Sequence, residues 1–444
     1  MENPTLMGIC IYNNILRDPI VKSYVSLDEA LEEKMSPEDI CGRYGEFLSQ
    51  LVHKTELSPG TIVADAWRNH LMDLVIQDEN TFTRKAEYIP LNKMSAGLIK
   101  LAKHDIRILQ EVLFVSLEEI SSKVNRCLKQ HGIGFGFPCV GDSFQPLCPG
   151  SDSDSLVKIK KHLAASPDWR QCLNLLAEYA RTNGCGEFGR YLAFRWVPGK
   201  GLAGVSSPDP VKLEDLIRYE RQREEVVANT RRFVQGYPAN NVLLYGDRGT
   251  GKSSTVKGLI HEFGRDGLRL VEVSREGFRD FPEIMAVLEE RPQRFIIFID
   301  DLSFEEYETE YKSLKAVMEG GIQSQPENVL IYATSNRKHL VKETFGDRTG
   351  PGGGGVEVHP GDGKEEKISL ADRFGLVVTF LRPDQKTYLD IVKGLAEKEG
   401  IAFEGEELES LALKWEMLHN GRSGRTARQF IQDILGRMHM GEDI

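Results

Sequence analysis

Eight residues in the middle of the chain have the spacing of a phosphate-binding loop. Gly246 to Ser253 matches the pattern G-x-x-x-x-G-K-[ST] at every fixed position. Glycines at these positions let the backbone wrap so that successive N–H groups point at phosphate oxygens, and the helix that follows adds the positive end of its dipole. In this pattern Lys252 reaches the β- and γ-phosphates, and the hydroxyl of Ser253 ligates Mg²⁺. The pattern predicts a site for a nucleoside triphosphate with magnesium, and we expect ATP.

The flanking residues support this interpretation. Val242 to Tyr245 is an apolar run that enters the loop as a strand, and Thr255 to Phe263 continues beyond it with a helical pattern. A glycine-rich turn without function is the alternative, but a chance match in a chain of this length has odds of about one in a hundred at average residue frequencies. The residues expected to bind the phosphates are Gly246, Asp247, Arg248, Gly249, Thr250, Gly251, Lys252, Ser253 and Ser254.

A pair of carboxylates follows a second apolar strand. Phe295 to Ile299 has the pattern of a buried strand, and it ends in Asp300 and Asp301. In phosphate-binding folds of this kind the first carboxylate, the Walker-B aspartate, holds Mg²⁺. We therefore expect Ser253 and Asp300 to hold the metal and Asp301 to polarise the attacking water. A solvated turn is the alternative for such an acidic pair taken alone.

The pattern beyond residue 207 predicts the elements that position these residues. Short apolar strands alternate there with helical segments, which is typical of a parallel sheet with helices on both faces. The expected strands are Val242 to Tyr245, Leu268 to Val273, Phe295 to Ile299, Val329 to Ala333 and Leu376 to Leu381. From about Pro383, three amphipathic stripes predict a small helical bundle.

Three domains follow from these patterns. Residues 1–207 are mainly helical by pattern, with one well-buried helix expected from Ala96 to Leu113. A strand-like run from Tyr191 to Val197 precedes a stretch rich in proline and glycine, which we take as the boundary. Residues 208–382 are then the α/β nucleotide-binding core, and residues 383–444 are a helical lid.

The order of these features resembles the AAA+ ATPase superfamily over residues 211 to about 437. The resemblance implies the strand order 5-1-4-3-2 for the core strands numbered along the chain. It also implies a polar sensor at the tip of the strand after the acidic one, where Asn336 would position the attacking water. Arg373 is similar to the arginine finger that reaches the site of a neighbouring subunit, which implies a homo-oligomer with sites between subunits.

The lid contains a further segment that resembles the superfamily. Arg425 is similar to the second sensor, which contacts the nucleotide, and Arg428 is the alternative for this role. Each of these assignments has a plainer alternative. Asn336 could cap a following helix, and Arg373 could pair with Asp372 at the surface. The shared order of the motifs favours the functional interpretation.

Two positions depart from the superfamily pattern. Leu213 to Glu220 resembles the segment that packs beside the adenine, but Arg218 stands where glycine is common. Asp301 stands where most members have glutamate, although an Asp-Asp pair is familiar in the replication-initiator and helicase-loader branches. Its shorter side chain could slow hydrolysis, unless Glu305 or Glu306 assists.

The whole chain is most similar to a group of bacterial AAA+ ATPases known only as a domain of unknown function. The similar segments are Pro238 to Ser254, Phe298 to Glu306 and Glu366 to Leu376. The resemblance implies an ATP-driven machine without naming its task. A glycine-rich segment, Gly350 to Gly355, precedes the arginine finger and is either an element that orders on assembly or a surface insertion. No metal is expected at His359, which has no ligand partners nearby in sequence.

Composition narrows the class of protein. The formal net charge of −11 argues against wholesale coating of nucleic acid or of acidic membranes. The seven cysteines include no C-x-x-C pair, so reduced thiols are expected rather than a disulfide framework or a zinc site. With no charged-then-apolar leader and no apolar run of membrane-spanning length, the expected location is cytoplasmic, without a membrane partner.

Three functions remain open at this point. The first is a mechanochemical ATPase that remodels a partner as nucleotide moves the lid. The second is a slow ATP-dependent switch or scaffold, which the shorter Asp301 would suit. The third is a small-molecule kinase, which is less favoured because no arginine-rich substrate lid is visible. In the first two cases the N-terminal domain is expected to recognise a partner, either protein or nucleic acid.

Overall fold

The computed structural model describes residues 5–141, 143–148, 153–302, 314, 318, 325–336, 373–401, 405–419 and 421–440. The chain divides into two compact units, Met1–Arg190 and Tyr191–Ile444. The sequence suggested a boundary after residue 207, but strand β1 (Ala193–Val197) is hydrogen-bonded in parallel to the core strand Leu268–Glu272. The segment before residue 207 therefore lies with the second unit, because its backbone pairs with a strand far along the chain.

The first unit is helical, as predicted. Its α-helices are α1 (Pro19–Glu32), α2 (Pro37–Glu56), α3 (Ala66–Gln77), α4 (Thr81–Tyr88), α5 (Ala96–Leu113), α6 (Leu117–Gln130), α7 (Asp154–Ala165), α8 (Leu173–Asn183) and α9 (Gly186–Arg190). Short 3-10 turns cover Leu6–Gly8, Ile15–Arg17, Leu91–Lys93 and Trp169–Cys172. Trp67 and Trp169 are fully buried in its core, and each indole N–H donates to a backbone carbonyl, as a buried indole requires.

The second unit contains a seven-stranded sheet. Its strands are β1, β2 (Gly201–Val205), β3 (Val242–Gly246), β4 (Leu268–Glu272), β5 (Arg294–Ile299), β6 (Val329–Ser335) and β7 (Leu376–Phe380). They lie in the order β2-β1-β4-β5-β6-β3-β7, and every neighbouring pair is parallel except the β1–β2 hairpin. Numbered from β3, the core strands follow the order 5-1-4-3-2, which confirms the prediction. The hairpin extends the sheet beyond β4, and the sequence did not predict that extension.

Helices cover both faces of this sheet. They are α10 (Glu220–Val234), α11 (Lys252–Phe263) and α12 (Phe281–Glu289), with 3-10 turns at Leu213–Asp215, Gly264–Asp266 and Arg275–Asp280. Successive side chains of a strand point to opposite faces, and all five from Phe295 to Ile299 are buried. Burial on both faces is the reason that the core strands are continuous apolar runs rather than alternating ones.

Three helices follow the sheet and form the lid. They are α13 (Gln385–Lys398), α14 (Gly405–Leu418) and α15 (Gly424–Met440). Their facing stripes bury Tyr388, Ile391, Ala412, Phe430 and Ile434 in a small core of their own. The predicted helical bundle is therefore present.

Several sequence predictions lie outside the described residues. They concern Glu305, Glu306, Asp372, the glycine-rich segment Gly350 to Gly355, and His359. Within the described part of the chain, no helix combines the length and the apolar character needed to cross a membrane.

Candidate nucleotide-binding site

The phosphate loop joins the carboxyl end of β3 to the first turn of α11. Gly246 has φ of 139°, and a Cβ there would overlap the backbone of Phe380 in the neighbouring strand, so only glycine fits. Gly249 has φ of 73°, and a Cβ there would lie 2.9 Å from Ser423 Oγ and 3.1 Å from Arg425 Cβ. The two glycines thus allow the loop to turn tightly while β7 and the lid pack closely against it.

Lys252 is held by the loop that it belongs to. Its side chain is buried, and its Nζ donates to the carbonyl oxygens of Gly246 at 2.9 Å and Asp247 at 2.6 Å. Burial lowers the pKa of Lys252, whereas nearby carboxylates, Asp247 foremost, raise it. A cation that is largely removed from water gains the most from an anionic ligand.

The acidic pair meets the loop through Asp300. Its Oδ1 accepts hydrogen bonds from Ser253 Oγ and from Thr334 Oγ1, both at 2.6 Å. Thr334 Oγ1 in turn accepts from the backbone N–H of Asp301 at 2.9 Å. The serine hydroxyl and the aspartate carboxylate therefore lie close enough to bind one small cation, directly or through water.

Asn336 links the loop lysine to the second carboxylate. Its Oδ1 accepts from Lys252 Nζ at 3.1 Å, and its Nδ2 donates to Asp301 Oδ1 at 2.6 Å. Asp301 itself has φ of 53°, a left-handed conformation that is uncommon for a residue other than glycine. Strained backbone of this kind persists where surrounding contacts hold it, and it concentrates at functional sites.

These residues line a cavity of about 780 Å³. Its walls come from the phosphate loop (residues 248–254), the acidic pair, Asn336, the segment 215–219 and the lid helices. Its volume falls within the range of small-molecule and cofactor pockets. Mg²⁺ prefers hydroxyl and carboxylate oxygens as ligands. The backbone N–H groups of a glycine-rich turn can bind phosphate oxygens. The residues at this end of the cavity therefore fit a nucleotide phosphate with magnesium.

The lid contributes the opposite wall of the cavity. The backbone N–H of Arg425 donates to Gly249 O at 3.3 Å, so the first turn of α15 rests on the phosphate loop. Arg425 and Arg428 both line the cavity, together with Gln429 and Gln432 of the same helix. Both arginines proposed for the second sensor thus face the same space.

Part of the cavity wall is apolar. Ile217, Ile391 and Leu395 contribute to its lining, and a Cβ at Gly394 would meet the Ile217 side chain at 2.7 Å. Arg218 has φ of 65°, which accounts for the glycine that the superfamily commonly has at this position, and its side chain pairs with Asp390 of α13. The segment predicted to pack beside adenine therefore closes this part of the cavity against the lid.

The structure brings most of the predicted site residues together. The described lining of the cavity includes Arg248, Gly249, Thr250, Gly251, Lys252, Ser253, Ser254, Asp300, Asp301, Asn336 and Arg425. Gly246 and Asp247 lie beneath the loop, where their carbonyls hold Lys252. Asp247 also accepts a hydrogen bond from the backbone N–H of Arg382, at the start of the lid connection, at 3.0 Å.

Arg373 is placed apart from the described lining of this cavity. It is exposed and precedes β7, whose first residue, Leu376, pairs with Val242 at the start of β3. The phosphate loop follows the other end of β3, where Gly246 pairs with Phe380. Because the two strands are parallel, Arg373 lies at the opposite edge of the sheet from the loop of its own chain.

Thr334 and Arg223 are among the cavity residues that were not predicted from the sequence. Thr334 joins the acidic pair, and its only sequence signal is a hydroxyl near the end of a mainly apolar strand, two residues before Asn336. Arg223 lines the cavity from α10. Its surroundings in sequence are highly charged, so nothing there sets it apart from a solvated helical face.

A nucleotide-binding core with the strand order 5-1-4-3-2, a phosphate loop after its first strand and a three-helix lid defines a protein of the AAA+ type. Residues 189–438, more than half of the chain, match the model of a family described as "Protein of unknown function (DUF815)". The chain belongs to this family.

Other comparisons add only distant similarity. No curated protein matches the chain. Among solved structures, the RuvB Holliday junction branch migration motor of Thermotoga maritima matches with 17% identity and a TM-score of 0.37, over 53% of this chain and 67% of that one. A single-substitution variant of the same motor matches with 18% identity and a TM-score of 0.38, over 53% and 67%. Likeness at this level says nothing about substrate or partner.

Proposed function

We propose that this protein is a magnesium-dependent ATPase of the AAA+ type that couples ATP binding and hydrolysis to the remodelling or assembly of a macromolecular partner. One observation carries the proposal. Residues from three separate segments, Lys252–Ser253, Asp300–Asp301 and Asn336, form one hydrogen-bonded cluster beside a glycine-rich loop. A solvated turn or a helix cap would need none of these connections.

Binding is the task of the loop. The backbone N–H groups of residues 248–253 and the Lys252 ammonium hold the phosphates. Exchange of two carbonyl partners for phosphate oxygens gives Lys252 hydrogen bonds in which both partners are charged. Ser253 and Asp300 would hold Mg²⁺, which when bound neutralises charge on the phosphate oxygens. Thr334 and Ser253 keep the Asp300 carboxylate in place before any ligand arrives.

Hydrolysis is assigned to the second carboxylate and its neighbours. Asp301 orients the attacking water and accepts its proton, and Asn336 fixes the Asp301 carboxylate through the 2.6 Å hydrogen bond. Arg373 stabilises the transferring phosphoryl group in the site of a neighbouring subunit. Its position at the opposite edge of the sheet supports action between chains rather than within one. The protein would therefore work as a homo-oligomer.

The lid is the element that transmits the nucleotide state. Arg425 or Arg428 would contact the phosphates, and the existing contact of the Arg425 backbone with Gly249 supports this assignment. We assign recognition of the partner, a protein or a nucleic acid, to residues 1–207. A cytoplasmic location belongs to the same proposal.

A slow switch or scaffold is the second candidate function. The carboxylate of Asp301 is already engaged by Asn336, and it is one methylene shorter than the glutamate that most of the superfamily has at this position. Both features would slow proton abstraction while leaving ATP binding intact. Such a protein would organise a partner in its ATP state and release it only rarely.

The rate of ATP hydrolysis per subunit, measured against protein concentration, tests the proposal. For the wild type we expect a rate that rises with concentration, because a shared site forms only on assembly. Arg373→Ala should lower the plateau by about 10³-fold or more, the contribution of an arginine finger. Arg221→Ala is the matched control, since Arg221 lies on α10 with its side chain 89% exposed.

The remaining outcomes separate the two candidates. A rate that is independent of both concentration and Arg373 would rule out a shared site and leave a self-contained nucleotidase or kinase. Tight ATP binding without turnover, in the wild type and in both variants, would favour the switch.

A further inference from the structure

A guanidinium group that has no hydrogen-bond partner among the described residues lies in the wall of the candidate nucleotide cavity. Arg223, in the first turn of α10, has a side chain that is 16% exposed. Its Nη1 is buried and has no hydrogen-bond partner among the described residues. Glu220 Oε1 lies 3.7 Å from Nη2, which is longer than a hydrogen bond. The side chain of Arg223 also lines the cavity, so its guanidinium borders the space that a ligand would occupy.

Arg223 follows directly on the segment that closes the cavity against the lid. Its backbone N–H donates to Tyr219 O at 3.0 Å, so it lies one helical turn after that segment. Within the segment, Ile217 approaches Gly394 of α13, and the side chain of Arg218 pairs with Asp390 of the same helix. Arg223 is therefore next to the segment that the sequence predicted to pack beside adenine.

The apolar part of the cavity wall suits a flat aromatic ring. Ile217 approaches from the segment before α10, and Ile391 and Leu395 approach from helix α13 of the lid. Apolar side chains of this kind pack against the faces of a purine, whereas a guanidinium can donate only to acceptors on its edge. Adenine carries ring nitrogens N1, N3 and N7 as acceptors, and a buried donor gains free energy when one of them becomes its partner.

We propose that Arg223 recognises the base by donating a hydrogen bond from its guanidinium to a ring nitrogen of the bound adenine. The inference rests on the proposed function, because it assumes that the cavity binds ATP. It adds to the proposed ATP site a contact with the edge of the adenine base. A pocket made of apolar walls alone discriminates poorly between flat rings, whereas a donor fixed at the ring edge rejects a base that lacks the matching acceptor.

Equilibrium binding of adenine nucleotides tests this contact. The displacement of a fluorescent ATP derivative by ATP, 1-deaza-ATP, 3-deaza-ATP, 7-deaza-ATP and 2′-deoxy-ATP would be followed in the presence of magnesium. In the full-length wild type, we expect one deaza analogue to bind at least about tenfold more weakly than ATP. Arg223→Met should bind ATP about tenfold more weakly than the wild type and lose its discrimination against that analogue.

Two further variants make the result interpretable. Arg223→Lys keeps the charge without the planar fork, and it should not restore discrimination. Arg221→Met, two residues away on the same helix and on its solvent face, should bind every analogue as the wild type does. Thermal unfolding of each variant establishes that it is folded; an unfolded Arg223→Met would leave Arg223→Lys to decide by the same comparison.

The outcomes also separate this inference from the proposed function. Equal penalties for all deaza analogues in the wild type and in the Arg223 variants would overturn the contact. If the Arg223 variants differed from the wild type only in their discrimination against 2′-deoxy-ATP, Arg223 would contact the ribose, and the base contact would also be overturned. If the wild type bound no ATP, and Lys252→Ala changed nothing, the proposed function itself would fail. ATP binding that depends on Lys252 but not on Arg223 would sink only the present inference.

Discussion

The side chain of Thr334 connects the two acidic residues, Asp300 and Asp301, through hydrogen bonds. It is buried within β6, and its hydroxyl donates to the Asp300 carboxylate while it accepts from the Asp301 backbone. A hydroxyl can fill both roles at once, and an apolar side chain of the same shape can fill neither. Because Asp301 has an uncommon backbone conformation, this bond also helps to hold the second carboxylate where a water would be activated.

Loss of the Thr334 hydroxyl should weaken magnesium binding. In Thr334→Val the carboxylate of Asp300 loses one of the two donors that it has among the described residues. Second-sphere changes of this kind cost about 10–100-fold in metal affinity. We expect a corresponding rise in the magnesium concentration that half-saturates the binding of a fluorescent ATP derivative. Thr334→Ser retains the hydroxyl and should stay within a few-fold of the wild type. A valine variant with wild-type magnesium dependence would show that Thr334 is only a structural residue.

At the scale of the elements, the site depends on how closely β3, β7 and the lid approach the phosphate loop. Gly246 lies against the backbone of Phe380, and the loop then receives the N–H of Arg425 from α15. Asp247 accepts from Arg382, which leads into the lid. A change in the loop on ligand binding would therefore act directly on the segments that carry the lid.

Gly246→Ala should destabilise the protein even though it adds one methyl group. The added Cβ would overlap Phe380, and alanine is strained at φ of 139°. We expect the free energy of unfolding to fall by about 2 kcal/mol or more, measured by urea denaturation.

Gly436→Ala provides the matched control. Gly436 lies in the interior of α15, and a Cβ there would meet nothing within 4 Å. Alanine is the better helix former, so this variant should be stabilised by up to about 1 kcal/mol. A Gly246→Ala protein as stable as the wild type would show that β3 and β7 are not in close contact.

At the scale of the whole molecule, the candidate site belongs to the second compact unit. Every described residue that lines the cavity lies between Asp215 and Gln432. The β1–β2 hairpin completes this unit, because β1 pairs with β4 and its Phe194 and Trp196 are buried. The indole N–H of Trp196 also donates to Asp280 at 2.8 Å.

Two fragments test where this unit begins. Residues 191–444 should fold and bind ATP with an affinity within a few-fold of the full chain. Residues 208–444, which start at the boundary suggested by sequence punctuation, should have a lower melting temperature, because they lack the hairpin and expose the edge of β4. Thermal unfolding and nucleotide titration of the pair provide the measurement. Equal melting temperatures would show that the hairpin is dispensable to the core.

Local patterns in the sequence were sufficient to predict the secondary-structure elements and the residues at the phosphate end of the site. The phosphate loop, the acidic strand and the lid stripes each lie within a few consecutive residues, so spacing and periodicity reveal them. The order of the core strands followed from the resemblance and is confirmed by the sheet. The sequence predicted five residues that the structure brings together: Lys252, Ser253, Asp300, Asp301 and Asn336.

Only the tertiary structure determines the contacts between residues that lie far apart in the chain. Thr334 and Asp300, or Asn336 and Lys252, meet only because parallel strands end at one edge of the sheet. The hairpin joins β4 by backbone hydrogen bonds, which every residue but proline can make and which therefore leave no pattern of side chains. Arg223 has the sequence context of a surface residue, and only the packing of α10 against the cavity leaves its Nη1 buried and without a partner in the described part of the chain. Long-range burial and pairing are properties of the folded chain, and no local pattern encodes them.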